Sequence, residues 1–300
     1  MSENILCVKN IKKSFGGVHA LKGVDLTIKK GETHCLAGEN GCGKSTIIKV
    51  ISGFYKTDEG TIEIDGKEYT NMSTADAIAA GIQVIYQDFS IFPNLTVMEN
   101  LAFNQVLAEK KKFVNKKEFR KIAEEAVKKI NFDVDLDARV ETLPVADKQL
   151  IAISRALLHN AKLIIMDEPT TALTKREVTR LFGIIEELKK EGITILFVSH
   201  KLDEVFEISD SITILLREDQ SLYVQILLQI SLSPPGLFRS PKNLSLLFSQ
   251  KYQCFFGHVI SEFFFSHFTR RAMVYILSAS ENCNTVRDFK YLIQFMRKKK

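Results

Sequence analysis

The N-terminal part of the chain alternates between apolar and polar side chains. Residues 24–28 and 61–67 show the pattern most clearly, because apolar side chains recur there at every second position. A period of two is typical of strands that bury one face and expose the other. We therefore predict antiparallel strands in this region.

Four segments are short and mostly apolar, without regular alternation. They are residues 34–37, 82–86, 163–166 and 193–198. Runs of this kind are typical of parallel strands that are buried on both faces of a sheet. We expect them to form a mostly parallel core sheet.

Helical spacing of apolar residues appears between the last two of these segments. A capping-box sequence from Thr174 to Glu177 predicts the start of a helix, and Gly192 predicts its end. The apolar positions of this helix are Val178, Leu181, Phe182, Ile185 and Leu188. We interpret them as core packing against the sheet, not as a binding surface.

Residues 97–142 are rich in charge and are predicted to be helical, and another helix is predicted at residues 145–158. Together these segments predict an α-helical subdomain at about residues 97–160. Glutamates are interspersed with the lysine clusters at residues 110–112 and 116–117, which favours a solvated helix face. We predict no nucleic-acid partner.

A glycine-rich sequence follows the segment at residues 34–37. It consists of Gly38, Glu39, Asn40, Gly41, Cys42, Gly43, Lys44, Ser45 and Thr46, which fit the pattern G-x-x-x-x-G-K-[ST]. Between a strand and a helix, the backbone N–H groups of such a loop bind phosphate. We expect Lys44 to reach the β- and γ-phosphates of a nucleotide and the Ser45 hydroxyl to ligate Mg²⁺. The alternative is an ordinary glycine turn.

Two carboxylates follow the segment at residues 163–166, at the strand end where ligands of open α/β sheets bind. We predict that Asp167 holds Mg²⁺, directly or through water. Glu168 is predicted to be the general base that polarises the attacking water. An Asp–Glu pair alone is a weak signal, but its place after a buried strand and downstream of the glycine loop strengthens it.

Two further polar residues are predicted to lie at the same edge. His200 follows the segment at residues 193–198, as expected of a residue that senses the γ-phosphate. Gln87 follows the segment at residues 82–86 and would coordinate Mg²⁺ or position water. An isolated His is usually structural or solvated, and an isolated Gln at a strand end means little.

These motifs together resemble the ATP-binding subunits of ABC transporters, in particular those of bacterial simple-sugar importers. The resemblance runs from about residue 8 to residue 215. It implies the α/β fold of a P-loop NTPase of the ABC ATPase type, with a mostly parallel core sheet, an antiparallel β subdomain and an α-helical subdomain. It also implies ATP and Mg²⁺ as cofactors.

The resemblance assigns roles to individual residues. Phe15 matches the aromatic residue that stacks on adenine, Gln87 matches the glutamine that couples the nucleotide site to membrane subunits, and His200 matches the switch histidine. Residues 170–174 resemble the D-loop, which contacts the opposing ATPase domain. Residues 86–97 are similar to the corresponding segment of sugar importers.

The family signature Leu-Ser-Gly-Gly-Gln is altered in this chain. Residues 143–147 read Leu-Pro-Val-Ala-Asp, so the serine hydroxyl and both glycines are replaced. Pro144 fits the first turn of the predicted helix, whose dipole favours an anion, whereas Asp147 opposes an anion there. Such variants also occur in simple-sugar importers. We expect slow ATP hydrolysis at a site that uses this signature.

The resemblance implies three kinds of partner: transmembrane permease subunits, a second ATPase domain in a head-to-tail dimer and, indirectly, a periplasmic or extracellular sugar-binding protein. The chain would then lie at the cytoplasmic face of the cell membrane as a peripheral protein. Its five dispersed cysteines favour reduced thiols, no signal peptide is apparent, and no apolar run approaches the ~18 residues of a membrane span.

The chain changes character beyond residue 216. Residues 217–300 carry 12 Lys and Arg against 5 Asp and Glu, whereas the rest carries 29 against 31, so the net charge of +5 belongs to this tail. We predict an ATPase domain at residues 1–216 and an atypical Phe-, Leu- and Ser-rich basic tail at residues 217–300. The tail is predicted to be disordered or to arise from a frame slip or gene truncation near codon 216. An accessory segment that binds a membrane surface or a protein is the alternative.

The leading functional prediction is an ATPase subunit that powers import of a simple sugar or a related small molecule. Two alternatives stay open: a truncated domain that binds ATP with little turnover, and a non-transport ABC ATPase that acts on DNA or ribosomes. The nearly neutral charge of residues 1–216 speaks against the second alternative.

Overall fold

The computed structural model describes residues 3–38, 40–108, 116–215 and 230–231. Its strands are β1 (Asn4–Phe15), β2 (Val18–Lys29), β3 (Thr33–Gly38), β4 (Glu59–Ile64), β5 (Lys67–Tyr69), β6 (Ile82–Ile85), β7 (Leu163–Asp167), β8 (Thr194–Ser199), β9 (Ser211–Leu215) and β10 (Ile230–Ser231). Its helices are α1 (Lys44–Ile51), α2 (Thr74–Ala79), α3 (Val97–Ala108), α4 (Lys116–Lys128), α5 (Val145–Leu158), α6 (Lys175–Lys190) and α7 (Leu202–Ile208), and Val140–Thr142 form a 3₁₀ turn.

The N-terminal strands form an antiparallel sheet in the order β2-β1-β4-β5. In β2 the alternating residues Val24, Leu26 and Ile28 are buried, and in β4 Ile62 and Ile64 are buried. The period of two along the sequence therefore reflects one buried and one exposed face. The prediction of antiparallel strands in this region is confirmed.

The core sheet has the order β10-β9-β3-β8-β7-β6. All its strand pairs are parallel except that of β9 with β10. Every residue of β3 and β8 is buried, which explains their mostly apolar sequence. The four apolar segments match four of these strands to within one residue at each end.

One hydrophobic cluster joins the two sheets through α1. It includes Leu6 and Ile28 of the antiparallel sheet, Ile47 of α1, and Leu36 and Val198 of the core sheet. Burial of such side chains contributes about 1.5–3 kcal/mol each. Apolar packing therefore dominates this junction.

Ion pairs add to the same junction at its surface. Asp65, in the turn between β4 and β5, lies 2.5 Å from Lys30 Nζ and 2.9 Å from Lys162 Nζ. These two hydrogen-bonded lysines lower the pKa of Asp65 to about 2. Exposed ion pairs contribute little to stability, so these pairs help to set the conformation of the turn but add little to the free energy of unfolding.

The helical region differs from the sequence-based prediction of helix over residues 97–142. Helix α4 ends at Lys128, Asn131 has a left-handed φ of 48°, and the segment that follows is not helical and turns at residues 136–137 before the 3₁₀ turn. The carbonyls of Leu136 and Ala138 accept hydrogen bonds from the first N–H groups of α3. The first N–H groups of a helix have no hydrogen-bond partner within the helix, and this segment supplies partners for two of them in α3.

The other helix predictions agree closely with the structure. Helix α5 has the predicted bounds, and α6 begins with the predicted capping box, in which Thr174 and Glu177 bind each other's backbone N–H groups. Gly192 has a φ of +85° just past the end of α6. Local sequence signals therefore determined these helix ends.

The core sheet includes two residues beyond the predicted domain boundary at residue 216, because β10 pairs with β9. The other residues of the predicted tail lie outside the described residues, and so does the whole of the second compact unit, Gly236–Lys300. The boundary and the nature of the tail stay predictions. In the described part of the chain, no helix has the length and apolarity needed to span a membrane.

Two glycine substitutions are expected to change stability in opposite directions. Gly53, just past α1, has a φ of +70°, and a Cβ there would lie 2.4 Å from the carbonyl oxygen of Ser73. Gly183, inside α6, has open space around its Cβ position. Gly53→Ala should lower the free energy of unfolding by more than about 1 kcal/mol, whereas Gly183→Ala should raise it by about 0.5–1 kcal/mol.

Urea denaturation followed by circular dichroism measures both effects in the full chain. A Gly53→Ala variant as stable as the wild type would contradict the close backbone approach at this turn.

Candidate functional site

The register of the core sheet brings the candidate residues to one edge. Ala37 of β3 lies beside Ser199 of β8, and Asp167 of β7 lies beside Val198. The ends of these three strands are therefore level with one another. They bring together the loop after β3, the carboxylates at the end of β7 and the residue after β8. Carboxyl ends of parallel strands are where ligands of open α/β sheets bind.

The loop between β3 and α1 depends on glycine. Gly38 has a φ of +151°, and a Cβ there would lie 2.4 Å from the Leu215 carbonyl oxygen and 2.8 Å from Cys42 Sγ. Gly41 and Gly43 have φ values of 81° and 107°, in the left-handed region that other residues seldom adopt. The glycines of the sequence pattern therefore permit the turn that lets backbone N–H groups face an anion.

Lys44 is the first residue of α1 and is only 6% exposed. Its Nζ donates a hydrogen bond to the carbonyl oxygen of Gly38 at 2.7 Å, so the ammonium group spans the loop. Asn40 and Ser45 are exposed, Cys42 is buried and Thr46 is half-buried. Glu39 lies outside the described residues. The loop thus combines a fixed cation with the N-terminus of a helix.

Asp167 is a half-buried carboxylate beside this loop. Burial raises its pKa most, the charge of Glu168 raises it further, and Lys44 and Lys49 act in the opposite direction. A cation close to this carboxylate would favour its ionised form. Hydroxyl and carboxylate oxygens are ligands that suit Mg²⁺, so Ser45 and Asp167 are two of the residues that could hold it.

Glu168 and His200 are in direct contact. Nδ1 of His200 lies 3.0 Å from Oε1 of Glu168, a hydrogen bond in which an ionised Glu168 accepts and Nδ1–H donates. The backbone N–H of Glu168 donates to the Val198 carbonyl oxygen at 3.0 Å, and its φ is 48°. A left-handed non-glycine residue costs about 1–2 kcal/mol, so the sheet holds this carboxylate in a turn that it would not adopt alone.

Gln87 and Phe15 lie farther from this contact along the chain. Gln87 is exposed, two residues beyond β6, whose end is level with the end of β7. Phe15 ends β1, is 40% exposed, and packs edge-on against Tyr55 with ring centroids 5.0 Å apart. Lys13 Nζ lies 5.4 Å from the centroid of the Phe15 ring. Their predicted roles toward Mg²⁺ and adenine stay predictions.

The altered signature lies at the start of α5. Pro144 is the residue that precedes the helix, and no side chain caps the helix there. Asp147 in the first turn lies 3.8 Å from Arg180 Nη1 of α6. Arg180 therefore offsets part of the negative charge that opposes an anion at this helix end.

Sequence reasoning missed Arg155, which holds the turn that follows Gln87. From α5, its guanidinium donates to the carbonyl oxygens of Ser90 at 2.8 Å and Phe89 at 3.2 Å. Both acceptor residues have a left-handed φ. The contact spans 65 residues, and no local pattern in the sequence signals it.

The site can therefore bind a phosphate anion at the loop and present an oriented carboxylate beside it. The Glu168–His200 contact places a candidate base close to the phosphate loop. These features are those of a nucleotide-hydrolysing site.

Comparison with known proteins agrees with this geometry. Residues 21–171 match the ABC transporter family. The ribose import ATP-binding protein RbsA 1 of Burkholderia thailandensis is 43% identical over 213 residues, which are 71% of this chain and 42% of that protein. RbsA 2 of Escherichia coli O157:H7 is 41% identical over 252 residues, 83% of this chain and 49% of that protein. The chain spans less than half the length of these relatives.

Solved structures give the same result. The ADP conformation of MJ1267, an ATP-binding cassette of an ABC transporter, has a TM-score of 0.64 and 32% identity, with 71% of this chain and 87% of that chain covered. The dimeric bacterial cassette MJ0796 has a TM-score of 0.62 and 26% identity, with 76% and 98% covered. Because the family match includes the phosphate loop and both strand-end carboxylates, the chain belongs to the ABC transporter family, and its fold is that of an ATP-binding cassette.

Proposed function

We propose that the chain binds MgATP and hydrolyses it to power import of a simple sugar or a related small molecule. One observation carries the proposal: the core sheet places buried Lys44 and the Glu168–His200 contact at the same edge. Membership of the ABC transporter family supports ATP as the nucleotide.

The proposal gives each residue of the site a role that fits its chemistry. The loop N–H groups and Lys44 hold the phosphates, and Phe15 stacks on adenine. Ser45, Asp167 and Gln87 would hold Mg²⁺, which neutralises charge on the phosphates when it is bound. Glu168 accepts the proton of the attacking water, and His200 orients Glu168.

The transport role rests on the relatives. Two of them are named as ribose import ATP-binding proteins, and this chain matches them over less than half of their length. We infer transmembrane permease subunits and a second ATPase domain as partners, with a sugar-binding protein acting indirectly. The chain would then act at the cytoplasmic face of the cell membrane.

A binding protein with little turnover is the second candidate. It is favoured by the altered signature, in which Pro144 supplies neither a hydroxyl nor an N–H group to a phosphate. Equilibrium binding of MgATP, measured beside steady-state hydrolysis, separates the two candidates.

Removing the loop cation tests nucleotide binding. Lys44→Ala should weaken MgATP binding about 10- to 100-fold, because a charged hydrogen bond contributes about 1.5–3 kcal/mol. Isothermal titration calorimetry measures the dissociation constant. Lys190→Ala, an exposed lysine on α6, is the matched control and should bind as the wild type does. Equal affinity in the two variants would contradict the assignment of the loop.

Neutralising the candidate base tests hydrolysis. Glu168→Gln should lower kcat at least about 100-fold, because general-base catalysis contributes at least that much. Its MgATP dissociation constant should stay close to the wild-type value. Glu187→Gln, on the exposed face of α6, should leave both quantities unchanged. Retained turnover in Glu168→Gln would show that another group activates the water.

Restoring the signature tests whether it limits turnover. In a sample shown to be dimeric by light scattering, the double substitution Pro144→Ser and Ala146→Gly should raise kcat about fivefold, the equivalent of one added hydrogen bond. Ala79→Gly, in exposed α2, removes the same methyl group away from the site and should have no effect on kcat. Unchanged turnover in the double variant would mean that the signature does not limit the rate.

A further inference from the structure

A polar cluster lies beside the Glu168–His200 contact and shares no residue with it. Its members are Thr170, Ser199, Lys201 and Glu204. Thr170 and Ser199 are 1% and 2% exposed, and the side chain of Glu204 is 13% exposed. Buried charge is costly unless it is paired, so this carboxylate must be held by its neighbours.

Three donors converge on Glu204. Thr170 Oγ1 donates to Oε2 at 2.5 Å, Ser199 Oγ donates to the same oxygen at 3.4 Å, and Lys201 Nζ donates to Oε1 at 3.1 Å. Lys201 Nζ also donates to the carbonyl oxygen of Thr170 at 3.1 Å. The cluster is therefore closed, with the carboxylate at its centre.

The donors of this cluster are close in the chain to His200 and Glu168. Ser199 and Lys201 are the two neighbours of His200, and Thr170 is two residues beyond Glu168. The turn from Glu168 is itself closed, because Thr171 N–H and Oγ1 donate to the Glu168 carbonyl oxygen at 3.3 and 3.1 Å. Glu204 thus accepts hydrogen bonds from residues on both sides of the Glu168–His200 contact.

Helix α7 carries Glu204 and is anchored in the core. Val205 and Ile208 are 0% and 4% exposed, and the Val205 N–H donates to the Lys201 carbonyl oxygen at 3.1 Å. Glu204 is therefore carried by a helix that is anchored in the core. Its carboxylate binds the turn after Glu168 and the turn around His200, so it fixes both turns relative to this helix.

We propose that Glu204 is a positioning residue that keeps His200 in contact with Glu168 by binding Thr170, Ser199 and Lys201 at once. The expected effect of Glu204 on the rate rests on the proposed ATP hydrolysis. Its expected effect on the position of His200 does not.

The first experiment separates rate from binding in the full chain. Glu204→Ala should lower kcat about tenfold, because misplacement of a reacting group by a fraction of an ångström is costly. The MgATP dissociation constant should stay within about twofold of the wild type, since the phosphate loop is untouched. Glu204→Gln keeps an acceptor for Thr170 but loses the charge that binds Lys201, so its kcat should be intermediate. Glu207→Gln, exposed on the same helix, is the matched control and should keep the wild-type kcat.

The second experiment reads the position of His200 without using activity. In histidine-labelled full chain, the His200 imidazole resonance is identified by its loss in His200→Ala. It should shift in Glu204→Ala and Glu204→Gln and stay in place in Glu207→Gln. If no variant hydrolyses ATP but the resonance shifts, the proposed function fails and the positioning role stands.

Three results would overturn the positioning role while leaving the proposed function intact. One is a kcat within about twofold of the wild type in Glu204→Ala. The second is an unmoved His200 resonance in the glutamine variant, even if kcat falls. The third is a loss of MgATP binding in Glu204→Gln that parallels its loss of turnover.

Discussion

Parallel pairing of β3, β8 and β7 is the constraint on which the site depends. Side chains alternate along a strand, so a slip of one residue between β7 and β8 would turn Asp167 to the opposite face of the sheet. All residues of β8 and the first four of β7 are buried, so a slip would move apolar side chains out of their packing. The same apolar residues that stabilise the fold therefore set the distance between the loop and the carboxylates.

The pKa of Asp167 depends on its burial and on the charges beside it. Burial and the neighbouring Glu168 both raise the pKa of Asp167, and two lysines lower it without cancelling the rise. Burial is the largest of these effects, so the raised pKa of Asp167 reflects its loss of contact with water more than the charge of its neighbours. Ser45 and Asp167 carry hydroxyl and carboxylate oxygens, the ligands that Mg²⁺ prefers, so these two residues would suit the magnesium nucleotide of the proposed function.

Much of the fold was predictable because its signals are local. The bounds of α5, the capping box of α6 and the four apolar strands each follow from fewer than about 20 consecutive residues. The phosphate loop was predictable for the same reason, since its glycines and Lys44 are contiguous. The non-helical segment before residue 140 was not predictable, because it accepts hydrogen bonds from the distant start of α3. Arg155 and Glu204 were missed because a partner of each is distant along the chain: Ser90 lies 65 residues from Arg155, and Thr170 lies 34 residues from Glu204.

The intact loop and the altered signature need not act at the same nucleotide. In the head-to-tail dimer that we propose, each nucleotide would lie between the loop of one domain and the signature of the other. Lys44 and Glu168 would then work with the partner's signature, and Pro144 would face the partner's loop. If that partner is a second, different ATPase domain, the two sites are chemically unequal, with this chain supplying the catalytic carboxylate to one and the weakened helix end to the other. The effect of Asp147 on the second site is limited by Arg180, because the 3.8 Å ion pair removes part of the repulsion before any phosphate arrives.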